Sequence, residues 1–226
     1  MTQRYTPLII VVALFLGIKT AGATPIIVNG DFETGDLTGW TAFTTPLGTN
    51  GGPGFPNVVS FDTTGTGASF AAHFDVGSAI TPSGEQGGGI KQTFLAPVAG
   101  TYAFSAAIAS QDDKSGAGPN ADAGAFSLLI DGITIATDDL GGFSTRFQIL
   151  RGSLNGTDVL GVGSHTIALE ITRDFVSADT NTPEQYIDNV TAASPSVAAV
   201  PEPTSLALLG TGIVGFYRLR RRAPQV

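Results

Sequence analysis

The side chains able to do chemistry are few in kind. The chain of 226 residues has no cysteine and two histidines, His73 and His165, which excludes disulfide frameworks, thiolate catalysis, zinc knuckles, iron–sulfur clusters and histidine-rich metal sites. Both histidines fall inside strand-like patterns and read as structural groups rather than ligands or bases. Carboxylates carry what chemistry remains. The neighbouring pairs Asp112-Asp113 and Asp138-Asp139 resemble a glycosidase pair only superficially. Adjacent residues on a strand point to opposite faces, whereas such a pair must flank one bond about 5 to 9 Å apart. Asp112, Asp113 and Asp122 sit in a Gly-rich loop, residues 110–122, where they could hold Ca2+, but they lack the D-x-D-x-D-G spacing of an EF-hand loop; a solvated acidic loop is the competing reading. No G-x-S-x-G elbow, Walker loop or H-E-x-x-H occurs, so the chain reads as non-catalytic. Two aromatics are candidates to meet a ligand. Trp40 could stack on a sugar face or pack into the core, and Phe55 lies in a second long loop, residues 44–57, as the more exposed of the two.

The elements that must position these groups follow a period of two. Tyr102, Phe104, Ala106 and Ile108 alternate with smaller residues, and His165, Ile167, Leu169 and Ile171 alternate with Thr166, Ala168, Glu170 and Thr172; both segments read as half-buried strands. Residues 126–130 and 133–137 flank Asp131-Gly132, a two-residue turn of the kind that tolerates the positive φ of type I′. Further short strands are expected at 26–28, 40–43, 69–74, 89–94, 147–150 and 185–192, while Gly87-Gly88-Gly89 reads as an isolated flexible run. Many short strands between Gly, Pro, Asn and Asp clusters, with no capped amphipathic helix, predict an all-β antiparallel sandwich or barrel. Helix is expected only in the two apolar ends.

Those ends are set apart by composition. An apolar run over residues 8–18 follows Arg4 and precedes the small-residue site Ala21-Gly22-Ala23, the layout of a secretory signal peptide over residues 1–23. The folded domain is expected over 24–194, followed by a linker at 195–200 and a tail at 201–226. Between the ends, residues 24–199 hold five basic and 18 acidic side chains, a net charge of −13. Such a surface disfavours nucleic acid and suits an extracellular setting that supplies divalent cations. In the tail, Pro201, Glu202 and Pro203 precede an apolar segment, residues 206–217, and then Arg218, Arg220, Arg221 and Arg222. The segment would span about 18 Å as a helix, short of a full crossing, and the arginines place the C-terminus on the cytoplasmic side. The tail resembles the PEP-CTERM sorting signal of bacteria that secrete exopolysaccharide. That resemblance implies recognition by a membrane-embedded exosortase, removal of the tail and membrane contact through this segment before processing; a short anchor that nothing cleaves is the alternative.

The opening Asn29-Gly30-Asp31-Phe32-Glu33, with Gly35, Gly39 and Trp40 behind it, resembles the start of galactose-binding-like jelly-roll domains, including many carbohydrate-binding modules. Tyr186-Ile187-Asp188-Asn189-Val190 resembles their closing strand. The resemblance implies a jelly roll in which the opening Glu and the closing Asp, here Glu33 and Asp188, share a structural Ca2+, with Asp31 as a carbonyl donor. The competing reading is that Glu33 caps a turn and Asp188 bonds a nearby backbone N–H. Together these observations predict a secreted or cell-surface protein, non-catalytic and associated with exopolysaccharide, with a secreted polysaccharide hydrolase as the alternative.

Overall fold

A computed structural model describes residues 26–77, 86–112, 118–174 and 182–195. The expected signal peptide, the tail with Pro201, Glu202, Pro203, Arg218, Arg220, Arg221 and Arg222, the helices expected there, and Asp113 lie outside the described residues. Within them the secondary structure is ten strands: β1 (Thr41–Thr44), β2 (Asn57–Phe61), β3 (Ser69–Phe74), β4 (Gln86–Ala96), β5 (Gly100–Gln111), β6 (Ala125–Ile130), β7 (Ile133–Asp139), β8 (Ile149–Leu160), β9 (Gly163–Arg173) and β10 (Glu184–Ala193). They form two antiparallel five-stranded sheets, β1-β4-β9-β6-β7 and β2-β3-β10-β5-β8, packed as a sandwich. Hereafter these are the first and second sheets.

The period of two works here as the physics requires, since alternate side chains leave a strand on opposite faces. Phe104, Ala106 and Ile108 of β5, Phe126, Leu128 and Ile130 of β6, and Ile167, Leu169 and Ile171 of β9 all point inward and form one core with Phe32, Phe74, Ile90 and Ile187. The intervening residues face outward. The Asp131-Gly132 turn has φ values of 50° and 81°, as a type I′ turn demands.

Three expectations are corrected. Residues 26–28 are not a strand; the Val28 N–H donates to Gln92 Oε1 at 2.7 Å and the Val28 carbonyl accepts from Gln92 Nε2 at 2.8 Å, so one buried side-chain amide satisfies both backbone groups that a partner strand would have satisfied. The strand expected at 147–150 starts at Ile149 and continues to Leu160, and β2 was not foreseen. Both are outermost strands of the second sheet; an edge strand buries little, and of the twelve residues of β8 only Leu154 and Leu160 are buried. Finally, Gly87-Gly88-Gly89 is part of β4 in register with β9. A Cβ on Gly89 would come 2.0 Å from the Leu169 carbonyl, so close strand approach rather than flexibility accounts for glycine there.

Asp138 and Asp139 leave β7 on opposite faces, Asp138 on the side of the core-facing Phe126, and do not form a pair. Asp138 accepts from the Ser153 N–H of β8 at 3.3 Å, while Asp139 accepts from Gly141 N–H at 2.9 Å.

His165 joins two turns at one end of the sandwich. Its Nδ1 lies 2.7 Å from Asp131 Oδ2 and its Nε2 lies 3.0 Å from the Gly161 carbonyl. Two acceptors facing two ring nitrogens favour the imidazolium, and the Asp131 hydrogen bond first, then the Gly161 carbonyl, raise the His165 pKa above its ordinary value. A folded pKa above the unfolded one gives stability that is full below about pH 6.5 and is lost as pH rises through the folded value. Thermal melts of wild type and His165→Gln should therefore differ most in mild acid and converge toward alkaline pH; a gap that widens as pH rises would contradict this bridge.

Candidate functional site

The opening segment is a compact knot built by polar side chains. Asn29, at φ 50°, donates through Nδ2 to the carbonyls of Asp36 (2.9 Å) and Thr38 (3.2 Å). Asp36 accepts from the Thr34 hydroxyl at 2.8 Å and from the Thr38 N–H at 2.9 Å. Hydrogen bonding, first from the Thr38 side chain, holds the Asp36 carboxyl below the ordinary carboxylate range. This turn directs Phe32 inward at φ 53°, where it is fully buried. A left-handed backbone at a non-glycine residue costs about 1–2 kcal/mol, and burying a Phe side chain returns about 1.5–3 kcal/mol, so packing decides the conformation.

Trp40 belongs to the same knot. It is buried, its ring centroid is 5.8 Å from that of Phe32, and its Nε1–H donates to the Asn29 carbonyl at 3.0 Å. The stacking face expected of Trp40 is thus turned into the core, and its one polar atom is satisfied there.

The knot sits against the start of β3 and the end of β10. Registered pairing between β3 and β10 covers only Gln185–Ile187, and beyond it the opening segment supplies the partners. Val190 N–H donates to the Gly30 carbonyl at 2.7 Å, and Phe70 N–H donates to Glu33 Oε1 at 3.1 Å. Asp188 is fully buried beside this junction, next to a register shift in β10 and to Asn189 at φ 53°. It accepts from the Ser69 hydroxyl at 2.7 Å, from the Asn189 N–H at 2.6 Å and from Asn189 Nδ2 at 3.3 Å. Burial first raises the Asp188 carboxyl above its ordinary value; Glu33 and Asp31 add to the rise through their negative charge. Asp31, Glu33 and Asp188 thus share one corner, with Asp31 and Glu33 exposed. Among the described residues no group of three or more His, Asp or Glu side chains is arranged as a metal site, so a cation at this corner would draw on backbone oxygens as well.

The outward face of the second sheet holds two features that sequence reasoning missed. At one end Phe61, Tyr186, His73 and Phe55 form a ladder: Phe61 stacks on Tyr186 at 3.5 Å, Tyr186 on His73 at 4.8 Å, and Phe55 meets His73 edge-on at 4.9 Å. Tyr186 also donates its hydroxyl to Glu184 Oε2 at 2.8 Å, and His73 Nδ1 lies 3.1 Å from Asn57 Oδ1. Phe55, expected as an exposed aromatic, is half-buried as the outermost rung. Arg151 of β8 reaches across the sheet to the Asp62 carbonyl at 3.0 Å, laying the loop after β2 over this end.

At the other end lies an open groove of about 470 Å3, lined by Ser105, Asn155, Thr157 and Thr191 together with the paired Ala103 and Ala193. Cross-strand register makes the floor, since Ser105 is opposite both Asn155 and Thr191; the Ser105 and Thr191 hydroxyls are 2.8 Å apart, and Asn155 Nδ2 donates to the Ser153 hydroxyl at 2.9 Å. The available signal was the run of Ala and Ser at the outward positions of β5, too small to cover a sheet face. Which strands flank β5 could not be read from it.

A separate cleft of about 500 Å3 lies by the end of the first sheet, lined in part by Asp122, Asp139, Arg173 and Asp174. Burial first raises the Asp122 carboxyl, while Arg173, almost wholly buried, donates to the carbonyls of Asp122 (2.9 Å) and Val76 (3.1 Å) and to Asn120 Oδ1 (2.9 Å). Asp112 is fully buried and accepts from the Asn120 N–H at 3.0 Å, so the solvated acidic loop expected here is anchored inside the protein at its first carboxylate.

A family model of the PEP-CTERM protein-sorting motif matches residues 199–222, and the chain carries that motif. No curated protein matches the sequence. Among solved structures, a family 61 carbohydrate-binding module in complex with beta-1,4-galactotriose is similar at 13% identity and TM-score 0.44, over 76% of this chain and 100% of that one. A xylan-binding domain of carbohydrate-binding module family 22 is similar at 17% identity and TM-score 0.41, over 78% and 99%. A Stig cyclase from Fischerella sp. TAU is similar at 13% identity and TM-score 0.44, over 74% and 95%.

The contact between the opening segment and β10 gives a direct test. A Cβ on Gly30 would lie 2.1 Å from the Val190 carbonyl oxygen, and the obstacle is backbone that cannot swing aside. Gly30→Ala should destabilise the domain by about 1–3 kcal/mol, the usual range for overpacking, whereas Gly35→Ala, with open space around its Cα but φ 77°, should cost only the backbone strain of about 1–2 kcal/mol. Denaturant melts in which Gly35→Ala is the more damaging would show that the junction is not tight.

Proposed function

We propose that the chain is exported, sorted through its C-terminal motif by an exosortase, and acts at the cell surface as a non-catalytic protein whose sandwich binds polysaccharide of the surrounding matrix. The motif over residues 199–222 supports export and sorting. The single observation that carries binding is the open groove floored by Ser105, Asn155, Thr157 and Thr191. Hydroxyl and carboxamide groups can both donate and accept, matching the hydroxyls of a sugar chain, and the paired small side chains of Ala103 and Ala193 keep one row of the groove open. Such bonds add only about 0.5–1.5 kcal/mol each. With no aromatic platform in the floor, affinity for a short oligosaccharide belongs near a Kd of about 1 mM, or about −4 kcal/mol, and long chains gain by repeated contacts.

A polysaccharide hydrolase is the second reading, favoured by one observation: the acidic cleft, where Asp122 is raised by burial and Asp139 adds to the rise. The two readings separate in one experiment on residues 24–199, with affinity electrophoresis in matrix polysaccharide and release of reducing ends measured in parallel. Binding is expected to weaken about tenfold in Asn155→Ala with Thr191→Ala, the effect of losing about 1.4 kcal/mol, and to persist in Asp122→Asn. Reducing ends that appear with wild type and vanish with Asp122→Asn would establish the hydrolase instead.

The same proposal places Ca2+ at the corner of Glu33 and Asp188, with the Asp31 carbonyl as a further donor. Its support is a buried carboxylate whose main charged neighbours, Glu33 and Asp31, are both acids. Ca2+ takes six to eight oxygen ligands, and Asp188 retains acceptor capacity beyond its three hydrogen bonds, a carboxylate offering about four lone-pair sites. The sign of the shift supplies the test. A carboxyl raised on folding favours the protonated state, so without a cation ionised Asp188 costs stability as pH climbs from about 4 through the folded value. Chelation should lower the melting temperature of wild type, and Ca2+ at a hundredfold excess over Kd should add about 2.7 kcal/mol. Asp188→Asn should be blind to Ca2+ and, in chelator at neutral pH, melt no lower than wild type. An EDTA-insensitive wild-type melt would return Glu33 and Asp188 to holding Phe70 N–H and the Ser69 hydroxyl.

A further inference from the structure

The large apolar side chains left in solvent are unevenly placed. Leu95, Ile133, Val159 and Val162 are between 65% and 75% exposed, more than any other large hydrophobic residue among those described. The next, Phe147, lies at the opposite end with the Arg146 guanidinium 5.3 Å from its ring centroid. The four more exposed residues all ring one end of the sandwich. Leu95 is opposite Ser164 at the start of β9, Val159 is opposite Thr101 at the start of β5, Val162 lies in the turn between β8 and β9, and Ile133 follows the Asp131-Gly132 turn. His165 ties these turns together through Asp131 and the Gly161 carbonyl.

The chain leaves the domain at this same end. β10 runs toward it, and a Cβ on Gly100, the first residue of β5, would come 2.7 Å from the Pro195 side chain. Beyond Pro195 come ten residues and then the apolar segment 206–217 with its arginines. Ten residues reach at most about 33–36 Å, so while the tail is in a bilayer the domain is held close to the lipid by the end that carries the exposed rim.

We propose that this rim is a membrane-contacting surface, with Leu95, Ile133, Val159 and Val162 resting at the boundary between lipid headgroups and acyl chains while the tail is inserted, so that the domain is oriented before processing. The inference rests on the sorting-signal reading. Apolar side chains at such a boundary bind in proportion to the area they bury. Of the carboxylates at this end, Asp131 is engaged by His165 and by the Thr166 N–H at 2.8 Å, and Asp158 accepts from the Val159 N–H at 2.8 Å while its charge also acts on His165. The groove between β5, β8 and β10 then opens sideways, parallel to the membrane and accessible to polymer.

The absence of cysteine makes the test clean. Val162→Cys at the rim and Thr145→Cys in the loop at the far end, each in the chain from residue 24 to 226 that remains once the signal peptide is removed, are labelled with an environment-sensitive fluorophore and reconstituted into vesicles of phosphatidylethanolamine with a minor share of phosphatidylglycerol. Flotation reports the tail, and the fluorophore reports the rim. The expected result is flotation of both variants, with blue-shifted emission and quenching by brominated lipid at position 162 only. A floating protein whose label at 162 stays in water, or blue-shifts without quenching by lipid because a second copy or another protein covers it, overturns the rim while leaving the tail reading intact. A chain that does not float overturns both.

Discussion

The fold turns on a gap between β3 and β10 that the opening segment fills. Central strands of a sheet must satisfy their N–H and carbonyl groups or carry the cost of burying them unpaired. Here the registered ladder between β3 and β10 stops at Ile187, and the Gly30 carbonyl and the Glu33 carboxylate take over, receiving the N–H groups of Val190 and Phe70. The arrangement requires a residue without a side chain at position 30 and a carboxylate at 33. It also places Phe32 where it can enter the core and draws Trp40 after it. The first described residues thus complete the last strand, and most of the motif is accounted for by that closure.

Closure also explains why acids collect at one corner. Asp188 occupies an outward position of a central strand, but the opening segment packs over it and removes it from water. A group that would be an ordinary surface carboxylate on an open sheet becomes a buried one beside Glu33 and Asp31, and its carboxyl rises. The same covering divides the outward face of the second sheet. On one side the face is closed by the aromatic ladder and the Asp62 loop under Arg151; on the other, small and hydroxyl-bearing residues leave it open.

The two ends of the sandwich differ as well. Gly-rich loops and the acidic cleft occupy the end away from the chain exit, whereas the exit end has short turns and the most exposed aliphatic side chains. The net charge over residues 24–199 is −13, and of the acids at the exit end Asp131 is paired with His165.

The sequence by itself determined what depends on local order. Alternation in β5, β6 and β9 specified strands and their buried faces, because side-chain direction has period two whatever the neighbours are. Asp131-Gly132 specified its hairpin, because few residues accept φ above zero. The Pro-Glu-Pro, apolar and arginine series of the tail is a linear signal and was legible as one. Only the tertiary structure decided the rest, since it depends on which distant strands meet. β2 and β8 are edge strands with little to bury, so they left a weak pattern. Trp40 could be assigned to core or surface only once Phe32 was seen beneath it. The groove exists because Ser105 meets Asn155 on one side and Thr191 on the other, and cross-strand register is a property of the pairing, which no single segment contains.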